Sequence, residues 1–154
     1  RHPAAGAGMI GLIFSAGAKG VPAPGPLDFA TLALPGSPNT CLLTPSSAPG
    51  QGHLHHDPFP VTTEVAFAAI RAVAAGQPRT YPLADYPSRF QAQWVVRSRL
   101  MNYPDILVAE VAPAGDGCGL WLYSRSLIGH SDFGVNRARV IAWLGAFEDR
   151  LRRG

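Results

Sequence analysis

The chain has little charge. Charged residues make up 15% of its 154 residues, against about 25% in ordinary soluble domains. The deficit is concentrated in residues 1–60, where the charged side chains are only Arg1, Lys19, Asp28 and Asp57. The basic residues are scattered, apart from a short cluster at Arg150, Arg152 and Arg153. Because nucleic-acid-binding domains carry a basic stripe or a known module, we expect no nucleic-acid partner.

Cysteine is also scarce. The two cysteines, Cys41 and Cys118, form no CxxC motif and no zinc quartet. A disulfide between them would suit an exported protein. Two buried thiols are an equal alternative, because a lone cysteine packs like a small apolar side chain. The cysteines therefore leave the redox compartment open.

No hydrophobic run reaches the length of a membrane span. The uncharged run Ala4–Ala18 has fifteen residues, whereas a spanning helix needs about 20. It could be the end of a longer segment, a signal-peptide core ending at Ala16-Gly17-Ala18, or a Gly/Ala-rich arm on a surface. Its glycines disfavour a free-standing helix.

Proline and glycine are concentrated in the first part of the chain. Ten of the fifteen prolines fall in residues 1–60. We therefore predict an extended, irregular arm over residues 1–58, with few secondary-structure hydrogen bonds. Its apolar patches, Phe29–Leu34 and Cys41–Leu43, could dock on a compact domain. That domain is predicted over residues 59–154, beginning near Phe59.

Periodic patterns predict two helices and four strands in this domain. Thr62 can cap a helix over Thr63–Ala75, which Gly76 ends. A second helix is predicted from an apolar stripe that includes Val140, Trp143 and Leu151. The predicted strands are Arg79–Leu83, Arg89–Arg97, Asp105–Val111 and Gly119–Ser126. The fold class is thus α+β, with an antiparallel sheet of about four strands packed against two helices on one face.

The second strand alternates between apolar and polar side chains. Ala92, Trp94 and Val96 share one face, and Gln91, Gln93 and Arg97 share the other. The polar face is expected to be partly wet or to be covered by the N-terminal arm. All three tryptophans, Trp94, Trp121 and Trp143, lie on predicted inward faces.

The run from Leu122 to Leu144 carries a long motif, YSRS followed by G-x-SD-x-GVNR-x-RV. It resembles the C-terminal signature of the domain-of-unknown-function family 1499. Looser similarity extends the resemblance over about Asp28 to Leu151. The family occurs in bacteria and plastids, often behind a signal peptide, lipoprotein signal or membrane anchor, and the resemblance implies no established activity. The chain departs from the pattern in its long lead-in and in His53-Leu-His-His-Asp57.

The motif predicts a turn that begins a helix. Ser131 or Asp132 can cap the helix, and Gly129 and Gly134 permit unusual backbone angles. One interpretation is a buried network that stabilises the strand-to-helix corner. The other is an anion site, with arginines beside a helix N-terminus. The candidate ligand-binding residues are Arg97, Arg125, Asp132, Asn136 and Arg137.

Other candidate chemistry is weak. His130 could act as a base with Asp132, but an exposed histidine is the better interpretation. His53, His55, His56 and Asp57 form the one metal-like cluster, and a loop carrying idle histidines is favoured over a metal site. We predict no catalytic residues, no metal and no cofactor, because no nucleophile–base pair is apparent.

Two functional hypotheses follow. The first is a non-enzymatic accessory protein of the membrane or cell envelope, docked on other protein chains, on lipid, or on a larger membrane complex through residues 1–58. The second is a binding domain for an anionic or lipid-like small molecule near the candidate arginines. An enzyme ranks third.

Overall fold

A computed structural model describes residues 8–36, 38–48, 50, 52–129 and 134–154. It contains helices α1 (Met9–Phe14), α2 (Thr63–Ala75) and α3 (Val135–Arg153). Its strands are β1 (Thr40–Pro45), β2 (Leu54–His56), β3 (Thr80–Tyr86), β4 (Gln91–Arg97), β5 (Pro104–Ala114) and β6 (Gly117–Ser126). A 3₁₀ turn at Pro87–Arg89 joins β3 to β4.

The described strands form one mixed sheet in the order β2-β1-β6-β5-β4-β3. All neighbouring pairs are antiparallel except β1 and β2, which are parallel. The prediction of about four antiparallel strands is therefore wrong by two strands and by one parallel pair. The α+β class itself is confirmed.

Both additional strands come from the predicted irregular arm. Thr40–Pro45 pairs with β6 through register partners such as Leu42 and Tyr123. Cys41, Leu42 and Leu43 are all buried, so this short apolar run is an inner strand rather than a docked patch. The expectation of irregular chain is wrong for α1, β1 and β2, and the sheet contains residues from both sides of position 58.

The two long helices cover one face of the sheet, as predicted. Helix α2 has the predicted bounds, and the Thr62 hydroxyl accepts the amide of Val65 at 3.2 Å. Helix α3 contributes Val140, Trp143 and Phe147 to the same core. Removing this apolar surface from water is the main stabilising contribution on this side of the sheet.

The opposite face is covered by residues 12–35, called the covering segment below. A second core forms there, in which Val95, Ile106, Val108 and Tyr123 from the sheet are buried. The covering segment packs leucines and Phe29 against them. Of the two expectations for this face, wet or covered, the second is confirmed.

Both cysteines, Trp94 and Trp143 lie in the core between the sheet and the two long helices, whereas Trp121 does not. Cys41 lies opposite Ser124 and Cys118 opposite Pro113 in the ladders, so they are separate buried thiols rather than a disulfide. Trp94 and Trp143 pack edge to face, with 5.6 Å between ring centroids. Trp121 is only partly buried.

No helix in the described ranges has both the length and the apolar character needed to cross a membrane.

Candidate functional site

Arg97 is buried beneath the covering segment. Its side chain is 2% exposed at the end of β4. Nε donates to the carbonyl of Gly17 at 2.9 Å, and Nη1 donates to the carbonyls of Leu12 and Asn102. Nη2 has no acceptor within the described part of the chain. Arg97 therefore binds the chain's own backbone.

Burying this cation carries a desolvation cost. Burial lowers the pKa of Arg97, and the nearby Tyr81 partly opposes that shift. Carbonyl dipoles stabilise the guanidinium here, and within the described ranges it forms no ion pair with a carboxylate. A buried charge held in this way is well suited to holding a segment in place.

Two glutamines on β4 continue the same pattern. Gln91 accepts the amide of Leu27 at 2.9 Å and donates to its carbonyl at 2.8 Å. Gln93 donates to the carbonyl of Gly25 at 2.8 Å. Sequence reasoning identified this polar face and offered the N-terminal arm as one of two alternatives for it, but not the bonds themselves, because the partners are backbone groups more than sixty residues away.

These contacts define the path of the covering segment. Its carbonyls at Gly17, Gly25 and Leu27 meet Arg97, Gln93 and Gln91 in that order. The segment therefore runs antiparallel over β4 and then returns over β5 and β6. Between the outgoing and returning legs lies a groove of about 420 Å³, called the strand groove below.

Arg125 lines the strand groove. It is partly buried on β6, opposite Ile106 of β5. No hydrogen bond or ion pair to its guanidinium is present in the described ranges. Arg97 and Arg125 thus share a sheet face, and of the two only Arg97 bonds the covering segment among the described residues.

Asn136 lies on the other side of the sheet, at the start of α3. Its amide donates to the carbonyl of Asn39 and to the hydroxyl of Ser126, both at 2.9 Å. Its carbonyl accepts the hydroxyl of Ser124 and Nη1 of Arg139. Asn136 is therefore the centre of a buried polar network at the strand-to-helix corner.

Arg139 and Asp105 complete this network, and sequence reasoning missed both. The guanidinium of Arg139 contacts the carboxylate of Asp105 at 2.7 Å, with side chains 12% and 9% exposed. Arg139 lies off the apolar stripe that predicts the helix, and Asp105 is the first residue of a predicted strand. The pairing spans 34 residues, so no local pattern could indicate it.

The remaining residues of the predicted site do not converge with these. Arg137 is exposed on α3, on the side of the sheet away from Arg97 and Arg125. Gly129 and Gly134 have φ of 87° and 83°, as the turn prediction requires. Asp132, with Ser131 and His130, lies outside the described residues, so the predictions made for them stay predictions.

The three histidines of the predicted metal-like cluster, His53, His55 and His56, lie next to β1 and are hydrogen-bonded to β1 or to β6. Nδ1 of His53 accepts the amide of Leu42 at 2.9 Å, and Nδ1 of His55 is 3.1 Å from the hydroxyl of Thr44. His56 contacts the backbone of Leu120 through Nε2. Across the described residues, no three histidine, cysteine or acidic side chains, Asp57 included, are grouped as metal ligands.

The fold and these sites define a class: an α+β domain whose mixed sheet carries two helices on one face and an irregular covering segment on the other. The chain belongs to the DUF1499 family, since the family model described as "Protein of unknown function (DUF1499)" matches residues 33–147. That match confirms the resemblance carried by the C-terminal motif.

A comparison with solved structures found the X-ray structure of protein CV1439 from Chromobacterium violaceum. It is 12% identical and has a TM-score of 0.47, with 73% of this chain and 95% of that one covered. A comparison with curated proteins found no match.

Proposed function

We propose that the chain is a non-enzymatic, membrane-associated accessory protein that docks on anionic lipid surfaces through one corner. The observation that carries the proposal is an exposed apolar cluster there. Phe14 is 83% exposed, Leu100 is 90% exposed and Met101 is 53% exposed. Clustered exposed apolar side chains of this size are typical of interaction surfaces.

Local hydrogen bonds hold this cluster together. The amide of Asn102, directly after Met101, donates to the carbonyls of Ile13 and Ser15 on either side of Phe14. Arg97 joins the same turn to the end of α1. Phe14 and the β4–β5 turn are therefore presented side by side, and are called the apolar corner below.

The charges around the apolar corner favour lipid as the partner. Arg99, directly before Leu100 in the chain, and Lys19, five residues after Phe14, are exposed. The chain has no Asp or Glu in residues 1–27 or 86–104. Apolar side chains flanked by cations are suited to the boundary between headgroups and acyl chains of an anionic bilayer. Because the covering segment packs on its own sheet, we assign docking to this corner rather than to the whole of residues 1–58.

The test is co-sedimentation with phosphatidylglycerol and with phosphatidylcholine vesicles. We expect binding to the anionic vesicles that weakens with salt, because exposed charges are screened. Leu100→Glu/Met101→Glu should weaken binding about tenfold or more, since burying each apolar side chain is worth roughly 1.5–3 kcal/mol. Arg99→Gln should weaken it about fivefold, at roughly 1 kcal/mol per cation near the surface.

The matched control is Ile141→Glu, which places a carboxylate on an apolar residue of α3 that is about as exposed as Met101, 50% against 53%. It should bind vesicles like the wild type. Lipid docking through this corner would be refuted if the wild type bound neither kind of vesicle. It would also be refuted if Ile141→Glu weakened vesicle binding as much as Leu100→Glu/Met101→Glu does. The proposal would also be overturned if the wild type associated with itself or with another protein chain but did not bind vesicles.

A further inference from the structure

The strand groove has an apolar floor and apolar walls. Its floor is formed by Ile106, Val108 and Tyr123, which are nearly inaccessible to solvent. The two legs of the covering segment supply the walls, with Pro24 and Leu27 on the outgoing leg and Leu32, Leu34 and Pro35 on the returning leg. At about 420 Å³, the groove is at the small end of the range of 300–1,000 Å³ found for small-molecule sites.

Polar groups without partners sit at one end of this apolar space. The Arg125 guanidinium and the Tyr123 hydroxyl have no hydrogen-bond partner in the described ranges, and both residues line the groove. They are two residues apart on β6 and therefore point to the same face. The buried Thr40 hydroxyl, opposite Arg125 in the ladder, also lacks a partner there.

The Arg125 and Tyr123 donors are not among the fully buried polar atoms, so water reaches them in the groove and a ligand would displace that water. The Thr40 hydroxyl beside them is fully buried, and a buried hydroxyl without a partner loses its hydration and gains nothing in return. The polar side chains Gln91 and Gln93 on this face bond the covering segment. Within the described residues, the donors at Arg125 and Tyr123 form no such bond to it, and both line the groove.

We propose that the strand groove binds a free, single-chain anionic amphiphile of the fatty-carboxylate class. The carboxylate accepts hydrogen bonds from Arg125 and Tyr123, and the alkyl chain lies between the legs against the partly exposed Leu27, Leu32 and Leu34. The guanidinium selects the anion, because charge-assisted hydrogen bonds to a carboxylate are the strong ones. The volume of the groove favours an amphiphile with one alkyl chain over one with two. This site is separate from the apolar corner and stands on different residues.

The test is titration calorimetry of the full chain with decanoate below its micellar concentration. Decanoate should bind, whereas acetate, decanol and decyltrimethylammonium should each bind at least tenfold more weakly, because each lacks the chain or the negative charge. Arg125→Gln should weaken decanoate binding about 10- to 100-fold, and Arg125→Lys should restore part of it. Ala33→Trp, which fills the groove from an exposed position, should weaken it as well.

The matched control is Arg137→Gln, which removes an exposed arginine on the other side of the sheet. It should bind decanoate as the wild type does, and thermal unfolding should show that all variants are folded. Absence of decanoate binding by the wild type overturns the proposal. So does decanol binding as tight as decanoate binding, or wild-type affinity in both Arg125→Gln and Ala33→Trp.

Discussion

At the scale of the residue, side chains of one type have different uses. Arg97, Arg125 and Arg139 all lie on or beside the sheet and are not fully exposed. Arg97 binds backbone carbonyls and Arg139 binds a carboxylate. Arg125 has no hydrogen bond or ion pair within the described residues and lines the strand groove. Arg97 and Arg125 both lie near the end of a strand and Arg139 lies in α3. The partners of Arg97 and Arg139 come from distant parts of the chain, so the local sequence does not reveal them.

Glu110 is the carboxylate under the turn of the covering segment. Burial raises its pKa, while a hydrogen bond from Gln91 and the charge of Arg89 oppose the shift. The folded protein therefore holds this proton more tightly than the unfolded chain does. The resulting stabilisation is present below the ordinary glutamate value of 4.5 and is lost as pH rises through the folded pKa.

Replacing this carboxyl by an amide tests that linkage. Glu110→Gln keeps an oxygen to accept from Gln91 and removes the buried charge. We expect the variant to be more stable to urea than the wild type at about pH 7, and to differ little from it at about pH 3.5. The partly buried Glu148 of α3 provides the control, Glu148→Gln. A variant less stable than wild type at neutral pH would contradict the assignment.

At the scale of the element, a helix or strand could be predicted where the residues that determine it lie close together in the sequence. The bounds of α2 could be predicted because Thr62, Gly76 and the apolar spacing are all local. β1 could not, because it has three apolar residues and ends at Pro45, and its partner β6 is far along the chain. Its inner position comes from pairing and burial, which short apolar runs between prolines do not reveal.

The candidate site was predictable to a similar extent. Asn136 and the two positive-φ glycines follow from the motif, since a turn that begins a helix requires such residues. The strand groove was not predictable, because its walls are formed by an irregular segment whose path depends on hydrogen bonds to β4. Arg125 was identified, but its surroundings were not.

The covering segment should detach locally when its main anchor is removed. Arg97→Met deletes the donors to Leu12 and Gly17 but keeps most of the buried volume. Hydrogen exchange should then accelerate in residues 11–20, by about tenfold or more per charged hydrogen bond lost. Amides of β5 and β6 should keep their protection.

A ligand role for Arg97 makes a different prediction. In that case Arg97→Met would abolish decanoate binding while leaving exchange in residues 11–20 unchanged. If Arg97 is an anchor, Arg97→Met should instead accelerate hydrogen exchange at the start of the covering segment. Decanoate binding should then still occur and still depend on Arg125. Gln93→Met, which removes one bond to Gly25, is the matched control and should accelerate exchange only around that residue.

At the scale of the whole molecule, both faces of one sheet are covered by different kinds of structure. The helical face is an ordinary apolar core. The other face is apolar at its centre and polar along β4. There, side chains of β4 donate hydrogen bonds to backbone carbonyls of the covering segment. Stability therefore depends on the first third of the chain as well as on the helices.

Dividing the chain at the predicted boundary tests this dependence. A fragment of residues 59–154 lacks β1, β2 and the covering segment, so β6 becomes an edge strand and the face around Val95, Ile106 and Val108 is exposed to water. We expect the fragment to be unfolded or aggregated, because an uncovered apolar face and an unpaired inner strand are both unfavourable. Dispersed amide resonances and a cooperative melt in the fragment would contradict this. A fragment beginning at residue 8 is the control and should fold, because it keeps the whole sheet and its cover.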